Sequence, residues 1–227
     1  MSERRSTTRE YFEALLIAAI FLGFTNSFVV KTFYIPSASM EETLLIGDHL
    51  FVNRFIFGPT TSQLEKRLFP LRGVARGDVV IFKSPERPAV DMVKRCIGLP
   101  GDTIEVVDKD LYINGDWVED SSYTRHLENQ LLPGNVRPRD NFGPYTVPPN
   151  SYFCLGDNRD HSYDSRYWGT VPAHHVKGRA FLVYWSFGGE TPDGSWPGWA
   201  TKIRQLAQTA AGFVTRTRWG RTLHLVR

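Results

Sequence analysis

The sequence predicts a mainly β fold: a barrel-like or folded antiparallel-sheet catalytic domain preceded by one N-terminal transmembrane helix. Three observations lead there. Short runs of β-branched and aromatic residues recur between turn signals. Nineteen glycines and 14 prolines punctuate the 227 residues. Only one stretch is long and uncharged enough for a helix in lipid. At 41% hydrophobic and 13% aromatic the chain can bury one substantial core, and no internal repeat divides it.

Residues 1–10 are polar, carry Arg4, Arg5 and Arg9, and are expected to form a cytoplasmic tail. Ala14 to Val30 then runs 17 residues without a charge. As a helix that run spans ~26 Å, slightly under the ~30 Å hydrocarbon core of a bilayer. Tyr11 and Phe12 before it, with Phe33 and Tyr34 after it, supply interfacial aromatics. The anchor is therefore expected at residues 11–31, with 32–227 forming one extracytoplasmic domain. Three arginines precede the run and only Lys31 closely follows it, which places the N-terminus in the cytoplasm. A cleaved secretory signal would have a shorter apolar region and a small-x-small exit, which is not found before Lys31. A buried soluble helix is the remaining reading, because Thr25-Asn26-Ser27 interrupts the run.

Past Pro36 the helical signal stops. Leu44 to Val52 reads as strand, turn, strand, and residues 59–73 as mixed loop. Val79-Val80-Ile81-Phe82 is a run of β-formers, and Val90 to Ile97 is a second strand ended by Gly98-Leu99-Pro100-Gly101-Asp102. Ile104 to Asp120 carries two turn signals, one of them Asn114-Gly115, and reads as consecutive hairpins. A small accessory hairpin region is thus expected at about 103–150, although four prolines make 121–150 read as an ordered surface loop. Tyr152 to Leu155 is a strand running into Gly156, and Ala180 to Phe187 is an aromatic-rich one. In the tail, Ile203, Leu206, Ala210 and Phe213 fall at helical spacing before Arg216, Arg218 and Arg221. That piece reads either as an amphipathic helix on anionic lipid or as a helix packed on the domain.

The net charge of +3 is mild and its basic residues are dispersed, so no nucleic-acid partner is expected. Cys96 and Cys154 form neither metal-type spacing nor a disulfide framework. The sequence expects no metal and no cofactor.

Ser39, in Pro36-Ser37-Ala38-Ser39-Met40, lies nine steps from Val30 and so at most ~32 Å from the end of the apolar run. A serine hydroxyl needs an adjacent base. No histidine sits in a familiar hydrolase frame, Gly-x-Ser-x-Gly is absent, and Glu42 occupies the place where Ser-x-x-Lys would need its lysine. Lys94 has the apolar neighbours Met92, Val93, Cys96 and Ile97. A lysine buried among them would have a lowered pKa and a neutral amine able to accept the hydroxyl proton. On strand pattern alone, an edge lysine with a solvated head is the favoured reading. The stretch Gly156 to Gly169 packs three acids, two arginines and two serines into fourteen residues. Its third and fifth positions, counted from Asp157, are Arg159 and His161, which rules out a calcium loop. Buried charges there must pair, Asp164 with Arg166 or Asp157 with Arg95, leaving Ser162 to orient an amine.

These boxes resemble, in order, those of bacterial type I signal peptidase (leader peptidase). They are Pro-Ser-Ala-Ser-Met with Thr43-Leu44, Arg76-Gly77-Asp78-Val79-Val80, Lys94-Arg95 to Asp102, and 156–169. The resemblance covers about residues 10–187. It implies a Ser–Lys dyad endopeptidase that cuts signal peptides from exported preproteins at the outer face of the membrane. Ser39 would be its nucleophile and Lys94 its general base. Ser37 would donate to the oxyanion and Ser162 position Lys94. Arg95, Asp157, Asp164 and Arg166 would be structural ion-pair members. Phe33, Ile35, Met40, Leu44 and Val93 would line small-residue pockets. Signal peptides and membrane lipid are the implied partners. Ala38 stands where many members have Gly, and Glu42, a charge beside the nucleophile, where many have Pro. A self-cleaving repressor-type Ser–Lys protease is disfavoured because the first thirty residues offer no helix-turn-helix. A non-enzymatic tethered β module would leave Ser37, Ser39, Lys94 and Ser162 without a purpose.

Overall fold

The computed structural model describes residues 7–24, 30–57, 72–188, 209 and 211–226. Its architecture is two antiparallel sheets. The larger, in the order β1-β2-β11-β3-β4-β9-β10 with β12 beside β11, joins β1 (Val30–Tyr34), β2 (Asp48–Asn53), β3 (Val79–Lys83), β4 (Asp91–Gly98), β9 (Ser151–Leu155), β10 (Val171–Pro172), β11 (Val176–Ser186) and β12 (His224–Leu225). The smaller, in the order β7-β6-β5-β8, is formed by β5 (Thr103–Val107), β6 (Asp110–Ile113), β7 (Asp116–Trp117) and β8 (Phe142–Thr146).

Alternation along β3 shows how one strand serves both faces of the larger sheet. Val79 and Ile81 pack with Leu50, Val52, Ala180 and Val183, while Val80 and Phe82 pack with Cys96, Cys154 and Val171 on the other side. The smaller sheet has its own core of Ile104, Val106, Leu111 and Ile113, closed by Ile97, Phe153 and Leu155 at the ends of β4 and β9. Its hairpins are tight because Asp108-Lys109 and Asn114-Gly115 take left-handed φ, as two-residue turns matched to strand twist require.

Four sequence expectations change. Residues 44–47 form a turn rather than a strand, since Leu44 N–H donates to the Met40 carbonyl and Leu45 N–H to the Asp48 carboxylate. Within the expected loop 121–150 lies β8, which pairs with β5 despite Pro144 because it is an edge strand with no ladder bond to lose on its outer side. Val30 and Lys31, assigned to the anchor, belong to β1, whose backbone pairs with Asn53 to His49 of β2. In the tail, Ile203, Leu206 and Ala210 lie outside the described residues; Arg218 and Arg221 turn inward and ion-pair with buried Asp48.

Helix α1 (Thr7–Phe24) is 18 residues long and presents Leu15, Ile17 and Ile20 to the outside. Among the described residues no helix is long and apolar enough to cross a membrane. The reason is visible in its bounds: α1 begins with Thr7, Thr8, Arg9 and Glu10, and residues 25–29 of the apolar run lie outside the described ones.

Leu50 is fully buried in the larger core. Leu50→Ala is expected to lower the unfolding free energy by about 2–5 kcal/mol, read from urea melts of the two proteins.

Candidate active site

Pro36 and Ser37 lead from β1 into a single 3-10 turn, Ala38–Met40, and Met40 pins that turn by burying its side chain in the core with Leu44. The turn is also held from outside. Asn158 donates its backbone N–H to the Ser39 carbonyl at 3.2 Å and its side-chain amide to the Ala38 carbonyl at 3.2 Å. Ser39 is thereby fixed, half-buried, facing β4.

Lys94 lies on β4 in register with Val80, so its side chain leaves the sheet on the face shared with Phe82, Met92 and Cys96. It is 3% exposed, and its Nζ donates to Ser39 Oγ at 2.5 Å. Burial strips water from the ammonium and lowers its pKa to about 8, although the carboxylates of Asp164 and Asp157 pull the other way. The solvated edge lysine that the strand pattern favoured is thereby replaced by a buried one.

Two acids keep the site charged without solvent. Arg95 makes a bidentate pair with Asp157, 2.8 Å at each oxygen, donates to the Gly77 carbonyl and Thr43 Oγ1, and stacks on Tyr123. Asp164 caps helix α2 (Ser165–Trp168) and receives both Nε and Nη2 of Arg166. Burial would raise the Asp164 carboxyl, but the Arg166 guanidinium outweighs it and holds the acid below the usual carboxylate range. Arg166 also donates to the carbonyls of Arg139 and Arg159, tying this loop to the smaller sheet's connection.

Ser162 Oγ is buried and makes no hydrogen bond of ordinary length and angle, though it lies near enough to Asp164 to favour the ionised acid. It can approach only because residue 156 is glycine: a Cβ there would stand 2.2 Å from Ser162 Oγ and 2.4 Å from the Ser39 carbonyl oxygen. Ser37 Oγ lies 3.5 Å from Ser39 Oγ and is exposed. Of the five apolar residues, Ile35, Met40 and Leu44 are buried, while Phe33 and Val93 are half-buried against the same cluster. Glu42 is exposed and is not among the groups acting on Lys94; its φ of 115° is one a proline ring cannot adopt.

Among the described residues no histidine hydrogen-bonds Ser39, and no group of three His, Cys, Asp or Glu side chains is placed to hold a metal. Cys96 and Cys154 are free thiols facing each other across β4 and β9. An open groove of about 390 Å³, lined by Glu105, Val107, Pro138 and Phe142, lies on the smaller sheet and includes none of these site residues. Sequence reading missed Asn158 and Thr43. Asn158 sits inside the recognised charged loop, where an amide between Asp157 and Arg159 was the available signal.

The model of the family described as signal peptidase, peptidase S26, matches residues 8–185. The chain belongs to the signal peptidase family. Signal peptidase I of Pseudomonas aeruginosa is 35% identical over 207 residues, covering 79% of this chain and 72% of that one. Signal peptidase I of Pseudomonas fluorescens is also 35% identical, over 79% and 72% of the two chains. Signal peptidase I P of Bacillus subtilis subsp. natto is 32% identical over 82% of this chain and 92% of its own. As a member of this signal peptidase family, the protein is a serine peptidase that removes signal peptides from exported preproteins.

The depressed Lys94 pKa has a stability consequence. Between about 8 in the folded chain and ~10.4 unfolded, the unfolded state binds more protons, so stability rises with pH across that window. Below it the full penalty, roughly 3 kcal/mol, persists. Lys94→Met is expected to melt higher than the parent at pH 7 and to lose the rise between pH 8 and 10, read from urea melts across that range.

Proposed function

We propose that this signal peptidase works through a Ser39–Lys94 dyad. The supporting observation is the 2.5 Å contact between a half-buried hydroxyl and a buried amine that titrates at about 8. Neutral Lys94 takes the proton from Ser39 Oγ as the oxygen attacks the scissile carbonyl. The resulting ammonium returns it to the departing amine, which becomes the new N-terminus. The acyl-serine is then hydrolysed by a water that Lys94 deprotonates in turn. Ser37 Oγ and the Ser39 backbone N–H serve the oxyanion, where charge develops only in the transition state. Ser162 orients the Lys94 amine, and the ion pairs of Arg95 with Asp157 and of Asp164 with Arg166 fix the two loops that meet there.

Substrate access follows from the sheet. Strand β4 pairs with β3 from Asp91 to Arg95 but with β9 only from Arg95 onward, so among the described residues its other edge is unpaired from Asp91 to Lys94. An extended signal-peptide segment can add there as a strand, ending beside Ser39. Its small side chains would meet the shallow apolar surface of Phe33, Ile35, Met40, Leu44 and Val93.

The anchor reading is supported by α1, in which Tyr11, Phe12, Leu15, Leu16, Ile17 and Ile20 are all exposed where a soluble helix would bury one stripe. With Arg4, Arg5 and Arg9 before the run and Lys31 after it, a single pass through the bacterial cell membrane leaves residues 1–10 cytoplasmic and the domain from β1 onward outside. Lipid and signal peptides are then the partners, with no nucleic acid.

Ser39→Ala and Lys94→Ala should each cut preprotein cleavage by ~10³-fold or more, and near-parental turnover in either refutes the dyad. For the parent, kcat/KM should rise about tenfold per pH unit below an inflection near pH 8. Protease added to intact spheroplasts should digest the domain while sparing α1; a protected domain reverses the topology.

A further inference from the structure

The loop that follows the nucleophile is gripped by the far end of the chain. Arg221, in a short 3-10 turn, donates Nη2 to the Thr43 carbonyl at 2.9 Å and to Asp48 Oδ2 at 2.6 Å. Arg218, three residues earlier, donates to the Ile46 carbonyl at 2.9 Å and stands 3.8 Å from Asp48 Oδ1. Asp48 is fully buried, so its charge depends on these cations and on the Leu45 N–H. The tail is itself fastened: Arg218 N–H bonds to the Ser186 carbonyl, β12 pairs with β11, and Val226 enters the core that holds Met40 and Leu44.

Thr43 is the junction. Its carbonyl accepts Arg221 while its hydroxyl accepts Arg95, the partner of Asp157. Its own N–H bonds to the Met40 carbonyl at the end of the nucleophile turn. A force on Thr43 is therefore transmitted within one residue to Ala38–Met40. The family match stops at residue 185, so this grip comes from a part of the chain beyond the matched region.

We propose that Arg221 is a positioning residue for Ser39, setting the nucleophile turn through Thr43 from the C-terminal tail. The inference rests on Ser39 being the nucleophile. Its role differs from that of a fold-stabilising ion pair, because the Thr43 carbonyl bond and the Asp48 pair can be separated. Asp48→Asn combined with Arg221→Met removes the buried charge and its nearer cation together, leaving Arg218 on the Ile46 carbonyl and the Thr43 carbonyl ungripped.

The test is single-turnover cleavage of a preprotein by the full-length enzyme in detergent, with melting temperature measured beside it. Arg221→Ala should slow the saturating rate about tenfold while the half-saturating enzyme concentration moves by less than about twofold. The pH inflection should stay in place, since Arg221 is not among the groups acting on Lys94. Arg221→Lys should recover most of the rate. The Asp48→Asn/Arg221→Met protein should melt near the parent yet remain slow, and it decides the matter if Arg221→Ala fails to fold. A parental rate in Arg221→Ala, or a rate that returns with the melting temperature in the double variant, overturns the positioning role. Ser39→Ala runs alongside: if it retains cleavage the dyad itself falls, whereas an inactive Ser39→Ala beside a normal Arg221→Ala removes only this inference.

Discussion

Everything at this site depends on keeping one amine dry. Lys94 is a long cation placed in a strand whose neighbours are apolar, and its lowered pKa follows first from lost hydration. The surroundings are not simply greasy, however. Two buried carboxylates lie close enough to draw the proton back, and each is occupied by an arginine that spends its guanidinium on it. Of those arginines Arg166 also acts on Lys94 directly, lowering its pKa against the pull of the two acids.

The larger sheet supplies the geometry. Strand β4 carries Lys94 toward Ser39 and, one residue on, sends Arg95 to Thr43 and Asp157. Because neighbouring strand residues alternate faces, one short strand sets both Lys94 and the brace behind the turn that carries Ser39. The charged loop reaches the same turn from the other direction through Asn158. Two separate parts of the chain thus converge on Ala38–Met40 and hold Ser39 between them.

Much of this was legible in the residues. Strands β3, β4, β5, β6, β9 and β11 announce themselves by β-branched runs between Gly, Asn and Asp turns, and the proposed Ser39–Lys94 pair by a serine near an apolar run and a lysine among apolar neighbours. What was hidden is instructive. β8 carries Pro144, a residue that argues against strands until the strand is known to lie at a sheet edge. Residues 44–47 have strand composition, but side-chain capping by Asp48 and a guanidinium from 173 residues away bend them into a turn. No local pattern announces a partner that distant. The same holds for the arginines of the tail, which the sequence left open between lipid and the domain because their buried acid, Asp48, lies far away in the chain.

The proposed addition of a substrate strand at the four-residue gap along β4 has a further consequence for how the enzyme would measure its substrate. Side chains on a strand alternate from face to face, so a bound segment that slips by one position would turn its small residues to the wrong side. Slippage is therefore permitted only in pairs. Where a precursor offers small residues at neighbouring points, miscuts should fall an even number of bonds from the principal one, a ruler whose spacing is set by the pleat rather than by any single contact.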